Sequence, residues 1–320
     1  MTGMELEFYN AAKQGNIEAF QGMGEQIESI LTPNKNTMLH LHFTNYADSV
    51  SETFAEEVLG TSPALFFKIN MKGETILHRA VRYGHQKILK KLIDCAKVLP
   101  RDINEVGSER RLIRAINDKK DTALHEAARY GHTEGVDFLV KEEPDHSYFG
   151  KNVADETPLY IAVERKYWNV VDTILNNSDN SLQNNGPNGR IALHAAVLHG
   201  DAEKVSKLLE RNLPAAKQVD ENGWVPLHLV AIATSFDVVE LLASKDRSTA
   251  YMRDNKGRTA LHFVVVHEDS SVMEKIIKYC TDCCELVDEK GSNALHYSTL
   301  RGYLFPELKQ IVKDEPLISK

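Results

Sequence analysis

Two groups of side chains in this sequence have types and spacing that could do chemistry. The first is a series of histidines, each preceded by leucine, at His40, His78, His125, His194, His228, His262 and His296. Imidazole is a common general acid–base group and a common metal ligand, so such a series raises the question of proton transfer or metal binding. The second is Cys280-x-x-Cys283-Cys284, which has the spacing of half a zinc site or of a redox pair.

Either chemistry needs its groups in one place, and the spacing speaks against that for the histidines. With Tyr160 filling the eighth slot, successive members are separated by 38, 47, 35, 34, 34, 34 and 34 residues. A fixed period of this length marks a chain built from stacked supersecondary units. Equivalent histidines then lie one repeat thickness apart, too far to share an ion. Each also follows the leucine that opens a helix, where the ring can bond to the neighbouring turn and to the preceding Thr hydroxyl. The expectation is a structural histidine. For the cysteines, a closed zinc site needs four ligands, and only His262, His267 or His296 could complete one. Packing and loop roles are expected there, with thiol oxidation as the alternative.

Each repeat reads as the same physical object. An Asp or Asn and a Gly, as in Asn222-Gly223, give a tight turn in which Gly takes positive φ. A hydroxyl and often a proline follow, as in Thr157-Pro158, to cap and start a helix. Small pairs such as Ala127-Ala128 and Ala195-Ala196 allow close packing, and Gly84, Gly131 and Gly200 end the helix. A second helix carries Ile88, Leu89, Leu92 and Ile93 at helical spacing. Two short helices cannot bury such a face alone, so the units must stack. Several copies depart from the pattern. Lys35, Lys120 and Asp155 stand where the turn glycine belongs, and Lys166-Tyr167 replaces a Gly-His step. Between His78 and His125 there are about 13 extra residues, predicting a protruding loop around 95–116 with Ser108, Glu109, Arg110 and Arg111 on or near it.

The bulk numbers narrow the function classes. Acidic residues outnumber basic ones, 46 to 38, for a formal charge of −8 that disfavours a nucleic-acid partner. Four cysteines in 320 residues do not make a secreted disulfide framework, which points to a reducing compartment. The opening MTGMELEFYNAAKQGN lacks the features of a signal peptide, and no apolar run approaches the roughly 18 to 20 residues that span a bilayer. Phosphate-cradling loops, dinucleotide fingerprints, nucleophile elbows and H-E-x-x-H are all missing, so neither a cofactor nor an enzyme is expected.

The succession Gly-x-Thr-Pro-Leu-His-x-Ala-Ala-x-x-Gly-His resembles the ankyrin repeat. That resemblance implies an all-α solenoid of antiparallel helix pairs with turn tips, here 1–33 as N-terminal capping helices and 34–320 as about eight repeats. The phrases KDTALHEAARYGHTEGVDFLV, DENGWVPLHLVA and YCTDCCELVDEKGSNALHYS look like those of plant ankyrin-repeat membrane proteins of the accelerated-cell-death type. This finer resemblance implies a cytosolic array in immune, cell-death or stress signalling, tethered through a C-terminal transmembrane block that is absent here. A cytoplasmic location is expected, with the cytosolic face of the plasma membrane as the alternative. The ankyrin resemblance further implies a protein partner, bound on the concave face made by turn tips and the exposed ends of first helices. On this chain those positions are Arg82, Tyr83, Asp121, Arg129, Tyr130, Glu164, Arg165, Arg190, Trp224 and Arg258. Tyr, Trp and Arg dominate many interfaces, so they head the set, although Arg and Tyr here could equally tile neighbouring repeats. Two rival functions remain: a redox or metal switch at Cys280, Cys283 and Cys284, and homotypic assembly.

Overall fold

A computed structural model of the chain describes residues 4–45, 50–99, 107–178, 183–300 and 302. The chain forms two compact units, Met1–Asn184 and Asn185–Lys320. In the first, α1 (Leu6–Gln14) and two single 3₁₀ segments precede α2 (Met38–His42), and α3 (Glu52–Thr61) completes that pair. Then come α4 (Ile76–Arg82) with α5 (Gln86–Lys97), an additional α6 (Ser108–Arg114), α7 (Ala123–Tyr130) with α8 (Thr133–Glu142), and α9 (Pro158–Glu164) with α10 (Trp168–Asn177). First helices pack in the order α2, α4, α7, α9, and second helices in the order α3, α5, α8, α10. The second unit holds α11 (Ala192–Leu198) with α12 (Ala202–Arg211), α13 (Pro226–Ala233) with α14 (Phe236–Lys245), α15 (Ala260–Val266) with α16 (Ser270–Tyr279), and α17 (Ala294–Leu300). Its first helices stack as α11, α13, α15, α17 and its second helices as α12, α14, α16. Among the described residues there is no strand, only one isolated bridge between Asn185 and Ile191.

The turns of six repeats are each closed by one side chain. Asn70, Asn117, Asn152, Asp220, Asp254 and Asp288 each accept, at Oδ1, the backbone N–H groups two and four residues on. An Asx side chain that satisfies two donors fixes the turn more tightly than a backbone bond alone. The tips are also joined between repeats. Within the first unit the N–H of Met71, Asp118 and Val153 donates to the carbonyl of Asn34, Lys72 and Lys119. Within the second, Glu221, Asn255 and Glu289 donate in the same way to Asn188, Asn222 and Lys256.

The helices carry the burial. Ala80, Ala127 and Ala128 are fully buried on the first helices, and Ile93, Leu139 and Ile174 on the second helices. Each buried Ile or Leu side chain contributes roughly 1.5–3 kcal/mol, and each alanine methyl about 0.8 kcal/mol. After the second helix, a residue with φ near −145° leads into a short 3₁₀ turn that buries two side chains. These are Leu65 and Phe66 after Ser62, Ala215 and Ala216 after Asn212, and Cys283 and Cys284 after Cys280.

The described part of the insertion is not the loop that its composition suggested. Residues 95–97 continue α5, and Ser108–Arg114 form α6, which packs on α5 and α7 with Leu112 and Ile113 fully buried. Ser108 is buried, while Arg110 and Arg111 are exposed. Arg114 pairs with the buried Glu143 at 2.5 and 3.0 Å and lies 3.5 Å over the Tyr148 ring. An apolar pair at adjacent positions, clamped by one arginine, is enough to convert the extra chain into a docked helix. Residues 100–106, with Pro100, Arg101 and Asp102, lie outside the described residues, as do 303–320 at the C-terminal end of the expected array.

Backbone strain sits where the repeat pattern is broken. Lys35, Lys120 and Asp155 hold φ of 57°, 59° and 60° in the turn slot where Gly223 holds 77°. Left-handed φ costs an L-residue about 1 kcal/mol, offset in part by the greater chain entropy of glycine. Lys35→Gly, Lys120→Gly and Asp155→Gly together are expected to raise the thermal midpoint. Asp155→Gly also loses the exposed ion pair to Lys151, which is worth little. Gly223→Ala should lower the midpoint, because a Cβ there would lie 2.5 Å from Asn255 Oδ1 and 2.7 Å from its backbone nitrogen. Thermal melts of the two variants beside the parent check both signs.

Candidate functional site: the face of turn tips and first helices

The histidines lie at the third position of the first helices, and each is engaged on both ring nitrogens or at its cap. Thr37 and Thr75 offer hydroxyl and backbone N–H to Nδ1 of His40 and His78. Nε2 then donates to the next turn: His40 to Glu74 O at 2.8 Å and His78 to Asp121 O at 2.9 Å. In the second unit His194, His228 and His262 bond in the same way to the carbonyls of Trp224, Arg258 and Ser292. Ile191 and Val225 stand in the cap slot there without a hydroxyl, and their backbone N–H alone reaches Nδ1. These five rings are joints between repeats, whereas His125 is held at its cap by Thr122 and its Nε2 has no hydrogen-bond partner among the described residues. Burial pushes His40 and His125 down to about 4, and it also lowers His78, His194, His228 and His262.

A neutral buried imidazole has a predictable pH signature. The unfolded chain takes up protons below about 6.5, whereas the folded chain refuses them until about 4. The unfolded state therefore binds more protons in that window, and stability must fall as pH falls through it. The histidine contribution is complete above about pH 6.5, declines toward pH 4, and changes little below. At ~1.4 kcal/mol per pH unit of difference for each site, several sites together destabilise the protein measurably by pH 5. Thermal midpoints measured from pH 8 to pH 4.5 should drop from about pH 6.5 downward; a flat profile to pH 5 would contradict the joint.

In the first unit, charged side chains form one row across three repeats. Glu74, buried, forms ion pairs with Arg79 at 2.9 Å and Arg82 at 2.6 Å. Arg82 reaches on to Glu126 at 2.8 Å, and Glu126 accepts from Arg129 at 3.2 Å. Arg129 grips the fully buried Asp121 with two bonds of 2.9 Å, and Asn152 adds a third at 2.8 Å. Burial alone would raise the Glu74 carboxyl, but the Asn70 hydrogen bond and the charges of Arg82 and Arg79 hold it below the usual carboxylate range. Asp121 is likewise lowered, with Arg129 and Asn152 outweighing burial. Beside this row lies a groove of about 360 Å³ lined by Lys72, Glu74, Arg82, Asp118, Lys119, Glu126, Arg129 and Tyr130 among others.

The expected partner residues therefore divide. Arg82, Asp121 and Arg129 are committed to ion pairs, with Arg82–Glu126 joining two repeats and Asn152 tying Asp121 to the next. Tyr83 and Tyr130 remain 41% and 48% exposed, each stacked on the following His85 or His132 at 15° and 18°. Glu164 and Arg165 are exposed at the end of α9. In the second unit Arg190 lies 3.6 Å from the buried Asp220. Trp224 is half-buried, donating from Nε1 to Asp254 at 3.3 Å with its ring edge-on to Phe263 at 5.1 Å. Arg258 clamps the same Asp254 at 2.6 and 2.9 Å and lies 4.3 Å over Phe263. Glu126 was not among the expected residues, yet it bridges two arginines. Its sequence signal is a carboxylate directly after the histidine, in a slot that holds Ile161, Ala195, Leu229 or Phe263 elsewhere.

The cysteines occupy a packing position. Cys280, Cys283 and Cys284 are all buried, and the Cys283 thiol donates to the Cys280 carbonyl at 2.6 Å. Bonding to Cys280 and Cys284, and then burial, push the Cys283 thiol up and away from the nucleophilic thiolate. Among the described residues no three His, Cys, Asp or Glu side chains are placed to hold a metal ion, and no helix is long and apolar enough to cross a membrane.

Stacked helix pairs with a turn edge, a structural histidine joint and an open groove define a repeat scaffold whose working part is a surface. The chain belongs to the ankyrin-repeat family: "Ankyrin repeats (3 copies)" matches residues 100–184 and 167–254, and "Ankyrin repeat" matches residues 72–103. The fold is similar to that of the ankyrin repeat domain of Bcl-3, described as a unique member of the IkappaB protein family. The TM-score is 0.62 at 21% identity, covering 76% of this chain and 99% of that one. It is also similar to the human ASB11 ankyrin repeat domain, with a TM-score of 0.53 at 19% identity, covering 77% and 99%. No curated protein matches the sequence. Ankyrin repeats serve as protein-interaction modules and typically carry no catalysis.

The division of the first-unit residues can be measured. Arg82→Ala removes the link between the two repeats and leaves Glu74 to Arg79 and Glu126 to Arg129 alone, and should cost about 2–3 kcal/mol. Tyr130→Ala removes a half-exposed ring and should cost about 1 kcal/mol. Urea denaturation of the two variants gives the comparison directly.

Proposed function

We propose that the chain is a non-enzymatic scaffold that docks a protein partner on the first-unit face, with Tyr83 and Tyr130 as anchors. The observation that carries this is their combination of exposure and restraint. Both rings are half-exposed, each is stacked on a histidine, and Tyr130 borders the groove with Arg82 5.9 Å from its ring. A ring already held in place loses little freedom on binding, which is why such side chains dominate interfaces. The paired arginines below keep the groove rigid rather than competing for the partner.

The finer setting we propose rests on the phrases KDTALHEAARYGHTEGVDFLV and DENGWVPLHLVA, which resemble plant ankyrin-repeat proteins of the accelerated-cell-death type. The array would then be a cytoplasmic module of immune, cell-death or stress signalling, working at the cytosolic face of the plasma membrane where a membrane block is attached. Affinity capture from plant tissue tests the site. Partners retained by the parent chain should be depleted about tenfold or more by Tyr83→Ala with Tyr130→Ala, while the melt stays cooperative. Equal retention of every partner by this double variant would sink the reading.

A further inference from the structure

The turn edge of the first unit carries an exposed feature that the tyrosine anchors leave unused. Ile69, Met71, Ile116 and Val153 are 54, 60, 55 and 65% exposed, one or two on each of three successive tips. They are held in line by the backbone bonds from Met71 to Asn34, Asp118 to Lys72 and Val153 to Lys119. Around them stand five exposed lysines, Lys35, Lys72, Lys119, Lys120 and Lys151. The exposed acids of these tips are Asp118 and Asp155, and Asp155 is paired to Lys151 at 3.0 Å. A locally basic strip in a chain of formal charge −8 is a reversal of sign, and it coincides with the aliphatic row.

We propose that this edge is a docking strip for an acidic protein segment bearing aliphatic side chains, whose carboxylates meet the lysines while its apolar residues cover Ile69, Met71, Ile116 and Val153. The proposal rests on the first-unit face being a partner site and adds the chemistry of the partner. Charge complementarity fixes the sign of the segment. Branched and thioether side chains at the contact favour aliphatic cover, since bases would need stacking rings or arginine forks that the strip lacks. The strip is continuous with the groove through Lys72, Asp118 and Lys119, so one polypeptide could run along the tips and place a side chain beside Tyr130. An anionic lipid surface would leave that groove empty.

The test is to pan a random peptide display library on the full chain and measure the enriched peptides by fluorescence anisotropy at low and high salt. Enriched sequences should combine Asp or Glu with Leu, Ile or Val, and their affinity should weaken with salt. Lys72→Glu with Lys119→Glu and Lys120→Glu should reduce affinity about tenfold or more, and Ile69→Ser with Ile116→Ser and Val153→Ser should do the same. Melts of both variants should match the parent, since all six positions are exposed. Peptides of neutral or basic composition, or acidic peptides indifferent to both variants, overturn the strip. If such peptides are still lost in Tyr83→Ala with Tyr130→Ala, the tyrosine site stands and only the partner chemistry falls. Absence of enrichment overturns the strip, and cosedimentation of the chain with phosphatidylcholine–phosphatidylserine vesicles in that case assigns the lysines to lipid.

Discussion

Everything in this chain depends on how one repeat is fastened to the next. The fastening is a single imidazole whose Nδ1 accepts from its own helix cap and whose Nε2 donates to the carbonyl of the following turn, as His40 does to Glu74 and His228 to Arg258. Because both nitrogens are used, the ring is fixed in one tautomer and one orientation. The turn that receives the bond is itself fixed by an Asx side chain and by the ladder of tip-to-tip backbone bonds. Helix packing supplies most of the stabilisation, but these polar contacts set the register at which it occurs.

The charged row of the first unit is a second layer on the same frame. Glu74 and Arg82 lie on one repeat and Asp121, Glu126 and Arg129 on the next, and the Arg82–Glu126 pair that joins them can form only when the histidine joint is in register. Buried ion pairs add less net stability than their short distances suggest, since desolvation opposes them, but a mispaired arrangement is strongly disfavoured. The row is thus better understood as a specificity device for stacking order. It also hardens the groove wall on which the tyrosines stand.

The fold was legible because its determinants are local and repeated. Leu-His, the turn glycines, the alanine pairs and the 34-residue spacing each state a requirement of the same unit, and eight copies leave little ambiguity. The site was legible only in part. Comparing copies isolates positions that vary, such as Arg82, Tyr130 and Trp224, but variation alone does not tell a residue that meets a partner from one that meets the next repeat. That distinction needs distances between repeats: Trp224 turned out to donate to Asp254, whereas Tyr83 did not turn inward. Glu126 is not legible in the sequence because a lone carboxylate in a short helix reads as a solvated face, and only the fold places two arginines around it. Helix α6 is not legible either, because the two apolar residues that dock it, Leu112 and Ile113, are too few to show a period.

The acceptor in each histidine joint is a backbone carbonyl, and that choice has an evolutionary consequence. A side-chain acceptor would have to be kept in step with its donor, so any duplicated or shuffled unit would need a matched neighbour. A carbonyl is supplied by every residue type: Glu74, Asp121, Trp224, Arg258 and Ser292 all fill the slot. Units of this kind can be copied, deleted or reordered without breaking the joint. The residue at the acceptor position is thereby free to diverge, which lets a lineage extend its array and diversify its surface by the same duplication events.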